Sequence, residues 1–406
     1  MENLELELEK NRQTEIVEPY KLPAGWKWCK QSEVCKLVDG EKIADKEYPY
    51  LEVKYLRGTK EKSFVTSGKL IKKGTKVILV DGENSGEVFA IHEDGYMGST
   101  FKALSIENVD ENYLQYFITT KKDLYRNNKK GSAIPHLNKD LFKNMPFPLP
   151  PTLAEQQRIV NRIETMFAKL DQAQEKAQSV LDSFETRKAA ILHKAFTGQL
   201  RIDNEELKIE DWEDTTIGEC CRLGSGGTPS KSHPEYYENG DIPWLKTGEI
   251  DWNDIYDVEE RITNEGVENS SAKIFPAESV VVAMYGMGVT RGKAAILKIP
   301  TATNQAVCVL QPNEKLNNRF LFYYFMCNYW QIREQSVGGN QLNLSGKIIA
   351  SFSIKLPPLN YQLSIVNFLD SILEKESRAK EAAGAVLEQI ALLKKSILAR
   401  AFRGEL

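Results

Sequence analysis

The stretch "KAAILHKAFTGQL" (residues 188–200) has a near copy, "KKSILARAFRGEL" (residues 394–406), 206 positions further on. Lys188, Ile191, Leu192, Ala195, Phe196, Gly198 and Leu200 return as Lys394, Ile397, Leu398, Ala401, Phe402, Gly404 and Leu406. Working outward at that offset, "IVN" at 159–161 returns at 365–367, and Pro150-Pro151 match Pro357-Pro358 once Thr152 is treated as an insertion. A fixed internal period of this kind decides architecture before any motif does. The chain is two copies of one unit.

Each copy reads as a variable globular part followed by a long helix. Thr152 to Glu155 has the spacing of a capping box, and neither proline nor glycine interrupts the chain until Gly198, where a left-handed residue ends a helix. Apolar residues then step by three and four along a seam of Ile163, Met166, Leu170, Ala173, Ala177, Val180 and Phe184. The second seam is Leu369, Ile372, Ala379, Ala383, Val386 and Ile390, with Glu376 among its positions. This is coiled-coil spacing, and small residues near the middle of both helices predict an antiparallel pair.

The globular parts hold short β-branched runs, "KVILV" (76–80), "EVFAI" (87–91), "SVVVAMY" (279–285) and "AVCVL" (306–310), between Gly, Asn and Asp turns. Helix-like aromatic stretches follow at 111–125 and 318–332. The expected fold is α+β, two globular domains separated by two long antiparallel helices in a pseudo-twofold repeat. The expected boundaries are an acidic segment 1–21, globular domains 22–151 and 201–358, and long helices 152–200 and 359–406.

The chain of 406 residues has a formal net charge of −4, which hides an asymmetry. Residues 21–150 carry 22 basic against 17 acidic groups, and residues 201–358 carry 15 against 22. Neither balance excludes a nucleic acid partner, because a local basic face suffices. No stretch approaches twenty apolar residues, and the start has no signal-like region, so a cytoplasmic protein without a membrane span is expected. The six cysteines form no C-x-x-C pair and read as small buried apolar residues, and no metal-ligand spacing is present.

Catalysis finds little support in these residue patterns. Glu52 and Lys54 in an apparent strand, with Asp39 upstream, are the types a metal-dependent phosphodiesterase uses. The second copy sets Lys246 and Gly248 opposite them, so the set does not recur. The four histidines have no nucleophile arrangement, and "GSGGTPS" (224–230) reads as a plain turn or as a loop whose backbone approaches phosphate. Binding remains. Lys121, Lys122, Arg126, Lys129, Lys130, Ser132, His136 and Asn138 group phosphate-neutralising cations with donors able to read base edges. The second copy places Arg333, Asn340, Gln341 and Asn343 there, amides for charge. Thr228, Ser230, Lys231, Lys246 and Arg291 complete the expected DNA-binding set, with no catalytic or metal residue. A coiled-coil scaffold without DNA binding and a stand-alone nuclease are the rival readings.

The pattern "PLPP…EQ..IV" with "ILHKAFTGQL", repeated as "KLPPLNYQLSIV" with "ILARAFRGEL", together with "GGTPSKSHPEYYENGDIPWLKTGEI" (226–250) and "TNQAV" (303–307), closely resembles the specificity (S) subunit of type I restriction-modification systems. The first copy departs from it, with "YPYLEV" (48–53) and "GSTFK" (98–102) where the second has "IPWLKT" and "NQAVC". The resemblance implies two target recognition domains, each reading one half of a split, asymmetric double-stranded DNA site. It also implies long helices that space the domains and dock two methyltransferase (M) subunits, with restriction (R) subunits joining them. No cofactor is implied for this chain. S-adenosylmethionine, ATP and Mg²⁺ are implied for the partners.

Overall fold

The structure, a computed structural model, describes residues 18–129, 135–202, 205–206, 209, 212–286, 288–336 and 343–406. The first seventeen residues of the acidic segment, with Lys130, Ser132, Asn340 and Gln341, lie outside them.

Two uninterrupted helices, Leu153–Phe196 and Leu359–Phe402, each run 44 residues, about 66 Å at the standard rise. The Thr152 hydroxyl accepts from the Glu155 amide at 3.2 Å, half of the expected capping box. The Glu155 carboxylate takes Arg158 instead, at 2.8 Å. Gly198 and Gly404, with φ of 70° and 72°, stand two residues beyond the helix ends, where the reversal needs a residue without a Cβ.

The chain forms two units, Met1–Gln178 with Gly384–Leu406, and Ser179–Ala383. In the first, Lys394 reaches Asp171 at 2.5 Å and Arg158 reaches the Leu406 carbonyl at 2.9 Å. In the second, Arg187 reaches Glu376 at 2.8 Å and Lys380 reaches Glu185 at 3.8 Å. Partners thus descend along one helix as they ascend the other, so within each unit the helix segments run antiparallel. Ile163, Ala177, Phe184, Leu369, Ala383 and Ile390 are buried, and Met166, Leu170, Ala173, Val180 and Ile372 half-buried. The second seam needs correction at two positions, because Ala379 and Val386 are exposed. The half-buried Leu387 takes the inward phase, and the exposed Lys380 lies at the seam's edge with its ammonium 4.3 Å from the Phe184 ring centroid. The lysine's apolar stem follows the seam while its charge reaches Glu185, a placement that a purely apolar period misses.

In the first unit β1 (Lys27–Lys30) pairs antiparallel with β11 (Pro146–Leu149), so entry and exit lie side by side. The chain passes from β1 through α1 (Gln31–Val34) into one sheet of β2 (Cys35–Val38), β10 (Phe101–Ile106), β7 (Lys76–Leu79) and β8 (Val88–Ala90), in that order. A second sheet takes β3 (Glu41–Ile43), β6 (Gly68–Ile71), β9 (Gly95–Met97), β4 (Tyr48–Leu51) and β5 (Phe64–Val65), with β4 and β9 parallel. Glu52 follows β4 and precedes the short helix α2 (Val53–Leu56), rather than lying in a strand. Helices α3 (Glu111–Thr120), α4 (Lys122–Asn127) and α5 (Lys139–Asn144) then lead to β11.

The second unit opens with the ribbon β12 (Arg201–Ile202) and β13 (Glu205–Glu206) and repeats the plan. β14 (Glu213–Thr216) pairs with β24 (Ser353–Leu356), and α6 (Ile217–Cys220) leads into β15 (Cys221–Ser225). One sheet is ordered β15, β23 (Val307–Pro312), β20 (Val280–Ala283), β21 (Ala294–Leu297), β17 (Asp254–Ile255). The other is β18 (Arg261–Ile262), β16 (Ile242–Leu245), β22 (Thr301–Thr303), β19 (Ile274–Phe275), again with one parallel pair, β16 and β22. Helices α7 (Asn264–Glu268), α8 (Asn318–Cys327), α9 (Tyr329–Glu334) and α10 (Gly346–Ala350) complete it.

A buried glutamine anchors each repeat. The Gln156 carbonyl accepts from the Asp110 amide at 2.7 Å, and Gln362 does the same for Asn317 at 2.8 Å. Asp110 and Asn317 in turn cap α3 and α8 with their side chains. A long helix is thereby locked to the aromatic helix of its own unit.

Each core is closed by both long helices. In the first unit Tyr113, Phe117 and Phe147 pack with Ile159, Val160 and Ile163 of one helix and Leu398, Ala401 and Phe402 of the other. In the second, Phe320, Phe325 and Ile354 pack with Leu192 and Ala195 and with Ile365, Val366 and Leu369. This is why the same helix ending occurs twice: each copy plugs one core. Five of the six cysteines are buried, as expected of small apolar side chains, and Cys327 is half-buried. Among the described residues no helix is long and apolar enough to cross a membrane.

One buried cation gives a pH test. Lys76 is 7% exposed, and its ammonium donates to Asn112 at 2.9 Å and to Gln115. Burial pulls its pKa below the ordinary 10.5, against the nearby Glu111, Asp110 and Glu164 carboxylates. A lysine whose folded pKa is depressed destabilises the fold while charged, and that cost fades as pH rises through the folded value. The melting temperature of wild type should therefore gain on that of Lys76→Met from neutral pH toward 10.5. A difference that stays flat or moves the other way would mean a well-hydrated ammonium.

Candidate nucleic-acid interface

In each unit the loop after the central strand meets the last loop of the globular part, and much of the expected binding set gathers at that corner. In the first unit the loop is Asp81–Glu87. His136 Nδ1 lies 2.6 Å from the Asp81 carboxylate, Lys129 reaches Glu83 at 3.1 Å, and Lys122 stands 4.0 Å from Glu87. The Gly82 amide donates to the Pro135 carbonyl at 2.8 Å and the Leu137 amide to Val80 at 2.7 Å, tying the loops by backbone. Gly86, at φ 96°, lies where a Cβ would come within 3.1 Å of Tyr125 Cβ and 3.2 Å of its ring. Arg126 is exposed on the adjoining α4.

Two residues of the set sit differently. Asn138 caps α5, accepting from the Leu141 amide at 3.1 Å. Lys121 turns to a cleft of about 500 Å³ that it lines with Phe117, Lys394, Lys395, Phe402 and Arg403. Its ammonium lies 5.2 Å from the Phe117 ring centroid, and burial lowers its pKa.

In the second unit the corresponding loop runs from Met284 to Lys293 between β20 and β21. The Leu344 amide donates to the Met284 carbonyl at 3.0 Å, bringing the neighbouring Asn343 to the same corner. Arg333 donates to the Arg291 and Gly288 carbonyls, both at 2.6 Å. Burial, then the Arg333 guanidinium, lowers the pKa of Arg291. Thr228, Ser230 and Lys231 lie in the loop that follows β15, and Lys246 directly follows β16 of the other sheet. Thr228 donates to Gln305 at 2.5 Å, Ser230 and Ser232 hydroxyls are 2.7 Å apart, and Lys231 is exposed. Lys246 pairs with Glu260 at 2.9 Å, whereas Glu52 at the equivalent strand end pairs with Lys60, so the charges are swapped between units.

The glycines of "GSGGTPS" have a packing reason. A Cβ on Gly226 would fall 1.8 Å from the Thr303 carbonyl and one on Gly227 2.0 Å from the Ser271 hydroxyl, so that backbone is pressed under its neighbours. The Trp244 indole donates to the Gly227 carbonyl at 3.0 Å. Asp39 bridges Lys69 and Lys102, whose hydrogen bonds, Lys102 first, hold its carboxyl down at about 2. It is not grouped with Glu52 around a metal, and among the described residues no cluster of three or more His, Cys, Asp or Glu could hold one.

The family described as "Type I restriction modification DNA specificity domain" matches residues 23–181 and again 209–388. The chain belongs to that family. Both matches span a globular part and the first stretch of a long helix, the same repeat that the fold displays. The chain is 26% identical over 391 residues to the type I restriction enzyme MjaVIII specificity subunit of Methanocaldococcus jannaschii, covering 89% of this chain and 90% of that protein. It is 30% identical over 163 residues to the EcoR124I/EcoR124II specificity subunit of Escherichia coli, covering 39% and 40%. Its fold matches the HsdS subunit from Thermoanaerobacter tengcongensis with a TM-score of 0.63 at 20% identity, over 97% of this chain and 100% of that one. A chain from a structure of type I R-M complex assembly and conformational transition gives 0.73 at 19% identity, over 96% and 100%.

In this specificity-family chain, the expected binding set reached only Arg291 in one corner loop and no residue of the other. "DGENSG" and "YGMGVTRG" read as turns, yet their signal was present, since each follows an apolar strand directly and carries repeated glycines.

Proposed function

We propose that this chain is the sequence-reading subunit of a type I restriction-modification complex, each globular unit reading one half of a split DNA site. One observation carries the reading: the two units share the order of their central strands, capping and core closure, while the corner loops differ in charge and length. Two readers of two different sequences need a common frame and different contact chemistry. The loops Asp81–Glu87 and Met284–Lys293, with Arg126, Lys129, His136, Arg291 and Asn343, form the proposed contact surface. Lys130, Ser132, Asn340 and Gln341 belong to it by sequence position.

Methylation and cleavage belong to partner M and R subunits, which carry S-adenosylmethionine, ATP and Mg²⁺, and two M subunits dock along the long helices. The assembly works in the cytoplasm, where the DNA is. The domain limits are 22–151 and 201–358, joined by helices 152–200 and 359–406.

Coexpression with a cognate methyltransferase in a host lacking adenine methylation, followed by mapping of N6-methyladenine, should reveal one split motif that disappears when this chain is omitted. Arg126→Glu should weaken DNA binding and flatten the dependence of log K on log salt by about one counterion. A chain that gives no motif beside a methyltransferase active with another specificity subunit would return the scaffold reading. An unchanged salt slope would remove Arg126 from the interface.

A further inference from the structure

The same register position carries arginine in both units, yet the two arginines do different things. Arg126 in α4 is exposed, whereas Arg333 in α9 is tied into the Met284–Lys293 loop. Its guanidinium gives one hydrogen bond to the Arg291 carbonyl and one to the Gly288 carbonyl, each 2.6 Å, and another to the Tyr329 hydroxyl at 3.1 Å. Tyr329 in turn donates to the Val289 carbonyl. Three carbonyls of one loop are thus held by one short helix. The guanidinium also stacks 5.2 Å from the Tyr329 centroid and 5.7 Å from that of Trp330, which restrains its plane.

The loop needs such a hold. Gly286, Gly288 and Gly292 have φ of 141°, 65° and 88°, conformations that glycine permits without enforcing. A Cβ on Gly292 would come within 3.2 Å of Arg333 Cγ, so arginine and glycine are fitted to one another. Held this way, the loop presents Val289, 58% exposed, and Tyr285, 39% exposed. The first unit reaches the same end through ion pairs, Asp81 with His136 and Glu83 with Lys129.

Resting on the function proposed above, we propose that Arg333 is a positioning residue for half-site recognition: it fixes the Met284–Lys293 loop as the reading element of the second unit and does not itself contact a base. Three of its five N–H donors are committed, two on one terminal nitrogen and one on the other, so a bidentate contact to guanine through both terminal nitrogens would break at least one hydrogen bond of the clamp. Held where it is, the guanidinium, with Tyr329, fixes the backbone at Gly288, Val289 and Arg291, from which the Val289 and Arg291 side chains project. Lysine cannot substitute, since a single ammonium cannot span both carbonyls in one plane.

The test compares the full chain and its Arg333→Lys, Arg333→Met and Gly292→Ala variants, each assembled with the methyltransferase partner, on a randomised DNA library read by N6-methyladenine mapping. Gly292→Ala disturbs the clamp from the loop side without touching the guanidinium's charge. All three variants should lose discrimination by about tenfold or more, the scale of a lost base contact, over the same several base pairs of one half-site. The other half-site should be unchanged, and thermal unfolding should show each variant folded. Loss confined to a single base pair in the Arg333 variants with Gly292→Ala silent would make Arg333 a direct reader and overturn the proposal. So would full retention of specificity by Arg333→Lys or Arg333→Met. A wild-type chain selecting no split site would sink the functional reading itself, an outcome distinct from variants that match an active wild type.

Discussion

Exchange of Glu213–Leu356 for the equivalent stretch of another family member should leave one half of the recognised DNA sequence intact and replace the other. The ends of that stretch are partners in a ladder: Glu213 faces Leu356 and Thr216 faces Ser353 across β14 and β24. The cassette therefore enters and leaves the frame at one two-stranded ribbon, and a graft made there cuts no other strand pairing. Its fit depends on Phe320, Tyr324 and Ile217 meeting the long-helix residues Leu192, Ala195, Ile365 and Leu369. A graft keeping those contacts should fold. The readout is the methylated motif, and a change in both halves would refute separate reading by separate units.

Truncation of Phe402 to alanine should destabilise the first unit by about 3–5 kcal/mol, the usual cost of removing a fully packed aromatic ring. Phe402 is 3% exposed, with centroids 5.0 Å from Tyr113 and 5.4 Å from Phe117 in edge-to-face arrangements that add to simple burial. Nothing local compensates, because the neighbours are themselves rings fixed by other contacts; the Tyr113 hydroxyl, for example, donates to the Pro148 carbonyl at 2.9 Å. Calorimetry of the full chain should show one transition lowered by roughly 5–20 °C, given a few degrees per kcal/mol for a domain of this size. Hydrogen exchange should then locate the loss in α3 and β11 while β20 and β23 keep their protection. Equal loss of protection in both units would mean that they unfold as one cooperative body.

The parts legible in the sequence were those with a local physical cause. The first long helix announces itself by a threonine cap, an unbroken run without glycine or proline, and a glycine stop, and the second by its copied ending at Gly404, although Gly384 lies inside it. The buried strands show as the runs "VILV" (77–80) and "VVVAM" (280–284), apolar throughout because both faces are covered. The parallel pairs β4 with β9 and β16 with β22 were not legible, since pairing across some fifty residues leaves no periodic mark. The seam of the second helix drifted at Ala379 and Val386 because their neighbours make the contacts instead, Lys380 by laying its ammonium against the Phe184 ring and Leu387 by half-burial.

The proposed contact surface was half legible for a similar reason. Cations and amides beside a terminal loop stand out in composition, so Lys129, His136 and Asn343 entered the expected set. Their partners were not, because Asp81 and Glu83 look like turn residues and a carbonyl clamp such as that made by Arg333 has no side-chain signature. Gln156 and Gln362 were missed despite recurring at the repeat offset, since a polar residue in a helix reads as solvent-facing until its burial is known.

The closure of each core by both long helices has a consequence for biosynthesis. The second unit is one continuous stretch, Ser179–Ala383, whereas the first needs Gly384–Leu406 to complete it. On a ribosome the second unit can close as its own residues emerge. The first must wait, with the rings of Tyr113 and Phe117 uncovered, until Phe402 is made. Long-range closure of this kind slows folding and leaves apolar surface open in the interval. A chain released early would therefore carry one finished unit and one open core, marking it for chaperones or proteases before it could address DNA with half a specificity.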